Sequence, residues 1–246
     1  MAMQLRTNAN PIFNSLKLDQ LDKPEVESFL QNWDENYFKS ASDINLFKPE
    51  LPQHWTLPQK QYFIRTFYHA RGHFSELLWH MGSFAPSAET KEMILTNTRD
   101  EFGKHGLSHE QLYQYFAKGW GVDLSIELLD QKWYLPCIRE YIQGQLRWLM
   151  THDWDHRLAA FAAIERLDNI DYLNLRNSAI SMGTERKYLT FFNVHVNADH
   201  FDNIFATSFQ KLWLKSPTLV ITVFEFIKKF QLDMWKELSD AIFSYS

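Results

Sequence analysis

The apolar residues of this chain recur at the spacing of α-helices. In the segment that follows Pro58, apolar side chains stand three or four positions apart, so that on a helix they share one face. This face consists of Phe63, Phe67, Ala70, Phe74, Leu77 and Met81. A second stripe follows Ser216-Pro217 and consists of Val220, Val223, Phe224, Ile227, Phe230, Met234 and Trp235. We therefore predict a long helix from Pro58 to about Gly82 and a last helix that begins after Ser216.

Helix start and stop signals divide the rest of the chain. Ser108-His109-Glu110-Gln111 matches a capping box, in which the Ser and the Gln bind each other's backbone N–H groups. Gly183 follows an alanine-rich segment and predicts its end, because glycine adopts the left-handed conformation that closes many helices. The predicted helices cover about residues 22–38, 58–82, 86–103, 108–119, 136–152, 155–182, 188–209 and 217 onward.

Turn residues are too sparse for a strand-rich fold, since the 246 residues include only 8 Gly and 8 Pro. No repeat or shift in composition indicates a domain boundary. We predict an N-terminal arm over residues 1–22 and one all-α bundle of seven to nine helices over residues 23–246.

Charge and composition exclude several classes of function. The net charge of −5 argues against a nucleic-acid surface, which is normally basic. The longest apolar run, Leu219–Ile227, is interrupted by Thr222 and Glu225 and is too short to span a bilayer. Cys137 is the single cysteine, so no intrachain disulfide can form, and the N-terminal residues lack the apolar core of a secretory signal. We expect a cytoplasmic protein without nucleic-acid or membrane partners.

The segment from Tyr188 to Phe209 carries polar groups on its apolar face. At about 100° per residue, Asp199 lies about +40° and Asp202 about −20° from His195 around the helix axis. The aromatic residues on the same stripe are Tyr188, Phe191, Phe192 and Phe209. A buried carboxylate without a partner costs several kcal/mol or takes up a proton. Either a metal ion or a hydrogen-bonded polar cluster would explain this face.

Two other segments offer acidic or imidazole ligands. Glu165 lies on the buried stripe of the alanine-rich helix, where small neighbours leave room for a ligand; a core pair with Arg or Tyr is the alternative. Glu101 ends the third predicted helix and His109 begins the fourth, where the helix N-terminus favours a neutral imidazole that can bind a metal. Both could instead be ordinary surface residues, and His105 competes with His109.

A histidine-rich stripe and a cysteine are further candidates. His69, His73, Glu76 and His80 share one flank of the predicted second helix. This flank predicts a partly solvated surface, a cavity mouth or a subunit contact. Cys137 begins a helix, where the thiol pKa can fall, but no His or acid lies near it in sequence. We interpret Cys137 as a packed core residue.

Together these segments resemble a known superfamily. Several helices contribute carboxylates and imidazoles to one core, which is the pattern of di-iron and di-manganese carboxylate sites. In chain order these residues are Glu101, His109, Glu165, His195, Asp199 and Asp202. Their order and spacing resemble the haem-oxygenase-like diiron oxidases and oxygenases, including the CADD-like proteins, over roughly residues 60–215. The helix order is also similar to that of the haem oxygenase, TenA and PqqC fold.

The resemblance implies a ligand set, a cofactor and a reaction class. By resemblance, Glu101, His109, Glu165, His195 and Asp199 are metal ligands. Asp202 stands where the superfamily's His-x-x-x-Asp-x-x-His pattern has its last histidine. The implied cofactor is two iron ions, with manganese or a single ion as alternatives. Dioxygen would act on a small, partly apolar substrate in a pocket formed by Tyr172, Tyr188, Phe191, Phe192 and Phe209, and a homodimer is expected.

Three functions remain open from the sequence. The first is the di-metal oxidase or oxygenase. The second is an interaction module on the same scaffold, in which the Asp202 replacement has left the site degenerate. The third is a TenA-like enzyme, which needs a nucleophilic cysteine for which Cys137 is the one candidate.

Overall fold

The computed structural model describes residues 26–103, 106–197 and 203–246 of the chain, and the regular structure in these ranges is helical. The α-helices are α1 (Val26–Ala41), α2 (Leu57–Gly72), α3 (Phe74–Phe84), α4 (Ala88–Glu101), α5 (His109–Lys118), α6 (Glu127–Asp130), α7 (Pro136–Thr151), α8 (Trp154–Ser181), α9 (Thr190–Asn197), α10 (Asn203–Lys215) and α11 (Pro217–Phe243). Short 3₁₀ turns lie at Asn45–Phe47, Pro52–His54 and Arg186–Tyr188. The predicted all-α class is confirmed. The predicted N-terminal arm lies outside the described residues.

Several helix ends follow the capping chemistry read from the sequence. The Ser108 hydroxyl accepts a hydrogen bond from the Gln111 backbone N–H at 3.1 Å, and the Gln111 side chain accepts one from the Ser108 N–H at 3.0 Å. The capping box is therefore present, and α5 begins at His109 as predicted. Gly183 has φ +93° after the end of α8, which is the left-handed conformation expected there.

Two predicted helices differ from the structure. The helix predicted over residues 58–82 is divided, because the backbone leaves the helical region at His73, with φ −96° and ψ 5°. The preceding Gly72 weakens a helix at this point. Tyr188 lies in a 3₁₀ turn before α9 instead of inside a helix. Its ring packs so closely on Gly119 that a Cβ there would lie 2.6 Å from the ring.

Helix α8 is the central element of the bundle. Its residues Ala159, Ala160, Ala162 and Ala163 are fully buried, and small side chains allow neighbouring helices to approach it from several sides. Helix α11 packs along α8 and also contacts α7 and α2. At the α1 end, Arg166 binds both carboxylate oxygens of Asp34, at 2.8 and 2.7 Å. In the described ranges, no helix has the combined length and apolar character needed to cross a bilayer.

A buried carboxylate joins α8 to α1 and α11. Asp171 accepts hydrogen bonds from the Tyr37 hydroxyl at 2.7 Å, the Gln231 amide at 2.6 Å and the Trp235 indole at 2.6 Å. Burial raises the pKa of Asp171 to about 6, although these hydrogen bonds oppose the shift. The group therefore links the three helices but holds a proton more tightly than an exposed aspartate does.

This pKa shift predicts a pH-dependent contribution to stability. Between about pH 4 and 6, the folded protein retains a proton on Asp171 that the unfolded chain, with the ordinary pKa of 3.8, has released. The free energy of unfolding therefore falls as the pH rises through this window, by about 3 kcal/mol for a pKa difference of this size. Between about pH 4 and 6, the free energy of unfolding measured with urea should fall by this amount more for the wild type than for Asp171→Asn, which cannot titrate. Asp233→Asn, a control at an exposed carboxylate, should follow the wild type. Parallel curves for wild type and Asp171→Asn would contradict the assignment.

Candidate metal centre

The turn between α4 and α5 brings Glu101 and His109 together. Glu101 is the last residue of α4 and His109 the first of α5. Gly103 has φ +81°, and a Cβ there would lie 2.7 Å from the backbone of Gly106, Leu107 and Ser108, so the turn requires glycine. His109 Nδ1 lies 2.7 Å from Glu101 Oε1 and donates to it, because a carboxylate only accepts. The capping box thus fixes the position of one of the candidate ligands.

His195 reaches the same point from α9. It is 3% exposed. Its Nδ1–H donates to the Phe191 carbonyl at 2.8 Å, which leaves the lone pair on Nε2. The imidazole ring lies 4.3 Å from the His109 ring and stacks on Tyr172 at 3.9 Å. Burial lowers the pKa of His195 well below its usual value, and the charges of His109 and Arg71 add to this effect. A neutral imidazole of this kind can bind a metal ion.

The three side chains form a compact donor set. One ligand atom each from Glu101, His109 and His195 lies within 4.8 Å of the other two. Two imidazoles and one carboxylate are the donors that hold iron in many non-haem Fe(II) oxygenases. Among the described residues, no other group of three or more His, Cys, Asp or Glu meets this distance. The chemistry of the donor set therefore fits a divalent transition metal.

Arg71 balances the charge of this set, and sequence reasoning missed it. Its Nη2 lies 3.2 Å from Glu101 Oε2, and its guanidinium lies 5.0 Å from the Phe191 ring centroid. Burial raises the pKa of Glu101, but the hydrogen bond from His109 and the charge of Arg71 outweigh burial and lower it to about 2. Glu101 is therefore an anion at neutral pH. In the sequence, Arg71 resembles an ordinary basic residue in the last turn of a helix.

The remaining predicted ligands are not members of this set or lie outside the described residues. Glu165 is 1% exposed in α8, as predicted, but it is not one of the three residues that meet within 4.8 Å. Asp199, Asp202 and His105 lie outside the described residues. Their roles, and that of Glu165, remain predictions.

A cavity of about 60 Å³ adjoins the three-residue set, and Glu101 and His195 form part of its wall. One water molecule needs about 10–15 Å³ by the same measure, so the cavity has room for a small organic group. Apolar side chains of α2, α3, α7, α8 and α11 provide much of its wall, among them Phe74, Leu77, Ile142 and Leu146, and polar residues complete it. The site therefore combines metal ligands with a largely apolar chamber.

The predicted aromatic pocket is divided between this cavity and the core. Tyr172 lines the cavity. Phe191 contacts His195, with ring centroids 4.5 Å apart. Phe192 packs on Phe116, and Phe209 packs on Phe224. The cavity wall does not include Tyr188, Phe191, Phe192 or Phe209. The ring of Tyr188 packs on Gly119 instead.

The histidine stripe and the cysteine also have defined surroundings. The partly solvated surface expected for the stripe is wrong for His69, which is 1% exposed and whose Nε2 lies 2.9 Å from Glu127. His73 lines the cavity, and a cavity mouth was one of the alternatives expected for the stripe. Cys137 is half-buried, and burial raises its thiol pKa, which opposes a nucleophilic role.

Comparisons with solved structures show the fold. Two structures of a CADD-like protein of unknown function from Nostoc punctiforme PCC 73102 match with TM-scores of 0.68 and 0.71 and identities of 15% and 16%. Each match covers 88% of this chain and 97% or 100% of the other. A domain of unknown function with a heme oxygenase-like fold from Shewanella denitrificans OS217 matches with a TM-score of 0.60 at 13% identity, over 91% of this chain and 93% of that domain. The predicted haem-oxygenase-like bundle is therefore confirmed.

The sequence comparison shows the family. No curated protein matches this sequence. A family model described as an iron-containing redox enzyme matches residues 61–201, which is more than half of the chain and includes Glu101, His109 and His195. The chain therefore belongs to this family of iron-containing redox enzymes.

Proposed function

We propose that this chain is a non-haem iron oxidase or oxygenase that uses dioxygen on a small, partly apolar organic substrate. The observation that carries the proposal is the meeting of Glu101, His109 and His195 within 4.8 Å beside a cavity. The family match supports iron as the metal. The apolar wall of the cavity supports an organic substrate.

Iron, when bound, would supply the reactivity towards dioxygen that protein side chains lack. The chain's own part is to hold the ion with the three ligands in suitable protonation states. Glu101 is ionised, and His195 is a neutral imidazole whose Nδ1–H is held by the Phe191 carbonyl, so that Nε2 carries the lone pair. The proton on His109 Nδ1 now lies against Glu101 Oε1. Because metal ligands must be deprotonated where they bind, loading would displace any proton that occupies a ligand atom.

Arg71 has two roles in this proposal. Through Nη2 it holds one oxygen of Glu101 and so fixes the carboxylate beside the two imidazoles. Its Nε is buried and has no hydrogen-bond partner, although Arg71 lines the cavity. The amide nitrogen of Gln145, a residue only 5% exposed, also lines the cavity and has no partner of normal geometry. A buried donor without an acceptor costs about 1–3 kcal/mol. These two donors favour a substrate that carries an acceptor oxygen.

The number of ions follows from how many ligands converge. The three described ligands account for one ion, and Arg71 occupies the second oxygen of Glu101. The second ion implied by the resemblance would need Glu165, Asp199 and Asp202, of which the two aspartates lie outside the described residues. Two ions therefore remain a prediction, and a metal titration of the whole chain decides the number.

Removal of a proposed ligand should abolish iron binding. We expect the wild type to bind at least one Fe(II) per chain in an anaerobic titration followed by metal analysis. Glu101→Gln and His195→Ala should each lower the affinity by more than the 10–100-fold typical of losing an outer-shell partner. His156→Gln is the matched control, because His156 is a partly exposed histidine bound to Asp153. Equal affinity in all four proteins, or no binding by the wild type, would refute the metal site.

The iron-loaded protein should also consume dioxygen. With ascorbate as the electron donor, we expect oxygen uptake by the loaded wild type to exceed that of free iron at the same concentration. Uptake by His195→Ala should fall to the free-iron level, because the ion is no longer held beside the cavity. An oxygen electrode measures both rates. Equal uptake by wild type and His195→Ala would contradict oxygen activation at this site.

A further inference from the structure

His73 has two ring nitrogens in different surroundings. It lies between α2 and α3, where the backbone leaves the helix. Its Nδ1 is 3.0 Å from Oε1 of Glu76, whose side chain is 58% exposed. Its Nε2 is buried and has no hydrogen-bond partner. The residue lines the same cavity as Glu101 and His195. One end of the imidazole therefore faces a solvated carboxylate, and the other end is inside.

The contact with Glu76 determines which nitrogen carries the proton. A carboxylate only accepts, so Nδ1 of His73 is the donor of this hydrogen bond. In the neutral imidazole, Nε2 then has a free lone pair. A buried nitrogen without a partner costs about 1–3 kcal/mol. An imidazole whose Nδ1–H is held by a carboxylate and whose Nε2 is free is the arrangement that serves as a proton acceptor in enzymes.

The groups around His73 hold the ring in place. Tyr134 stacks on it with ring centroids 4.9 Å apart and an angle of 15°. The titratable and charged groups near the ring are Glu76 of α3, His69 of α2, Tyr134 before α7 and Arg139 of α7, whose guanidinium lies over Tyr134. Those on the shared cavity are Arg71 of α2, Glu101 of α4, Tyr141 of α7, Asp168, Asp171 and Tyr172 of α8, and His195 of α9. His69 is bound to Glu127 and does not compete for Glu76. The imidazole is thus fixed with its free nitrogen on the buried side.

We propose that His73 is the proton acceptor of the cavity, and that the cavity takes a substrate with an O–H or N–H group. The proposal deepens the function proposed above and rests on it. In the step, the O–H or N–H bond of the substrate breaks and a bond from the proton to His73 Nε2 forms. The electron pair stays on the substrate oxygen or nitrogen, and no oxidation state changes. Glu76 stabilises the resulting imidazolium through the Nδ1–H hydrogen bond.

The unpaired donors of the same cavity complete the recognition. Arg71 Nε and the Gln145 amide can donate to a substrate oxygen, whereas His73 Nε2 can accept from a substrate hydrogen. A hydroxyl group satisfies both kinds of partner, and an ether oxygen satisfies only the donors. His73 therefore distinguishes ligands that can donate a hydrogen bond from ligands that can only accept one.

A pair of isomeric probes tests this assignment in metal-free protein. Butan-1-ol and diethyl ether have the same composition, but only the alcohol donates a hydrogen bond. We expect the wild type to bind butan-1-ol about tenfold more tightly than diethyl ether, measured by NMR titration of ¹⁵N-histidine-labelled protein. His73→Phe keeps a ring against Tyr134 but has no Nε2, so it should bind the two probes with about equal affinity. Equal binding of the two probes by the wild type, or a preference retained by His73→Phe, would overturn the proposal.

A matched control and a second readout separate this role from a structural one. His80 on α3 also has a buried Nε2 without a partner, but it does not line the cavity. His80→Phe should therefore retain the tenfold preference. The ¹⁵N spectrum of the wild type should show neutral His73 with its proton on Nδ1, and the Nε2–H form would also overturn the proposal. These measurements use no iron, so their failure is distinct from failure of the metal site.

Discussion

The buried negative charge of Glu101 is the constraint on which the centre depends. A carboxylate whose side chain is 11% exposed keeps its charge only if nearby groups replace the water it has lost. His109 donates to one oxygen and Arg71 to the other. Because each partner comes from a different helix, the charge of one side chain fixes the relative positions of α2, α4 and α5. His195 then completes the set from α9.

The helices around this point are arranged to leave room beside it. The small residues of α8 bring its neighbours close, while α11 closes the far side with residues such as Met234 and Trp235. The Asp171 hydrogen bonds join α8 to α11 and α1. The polar groups that line the cavity are therefore of two kinds. Asp171 accepts three hydrogen bonds that join helices, whereas Arg71, His73 and Gln145 each have a nitrogen without a hydrogen-bond partner.

Local signals made the fold and part of the site predictable from the sequence. The Ser108 capping box placed His109 at a helix start, and its nearness to Glu101 followed from the short turn between them. Arg71 was not predictable, because a basic residue in the last turn of a helix is common and its burial depends on packing by α9. His69 was wrongly predicted to be partly solvated, because its burial depends on Glu127 of α6, which is distant in the sequence, and the break at His73 divides the stripe between α2 and α3. Such a break reflects tertiary packing as well as the local sequence.

Arg71 also bears on how the polypeptide and its ion come together. Many small metal domains remain unfolded until their ion arrives, because the free energy of metal binding is needed to fold them. Here a permanently cationic side chain already neutralises the acidic ligand, since a guanidinium does not lose its proton in proteins. Maturation can then proceed in two separate stages, with the bundle assembled first and the ion acquired afterwards. Loss of the ion would leave a folded apoprotein that can bind a new ion.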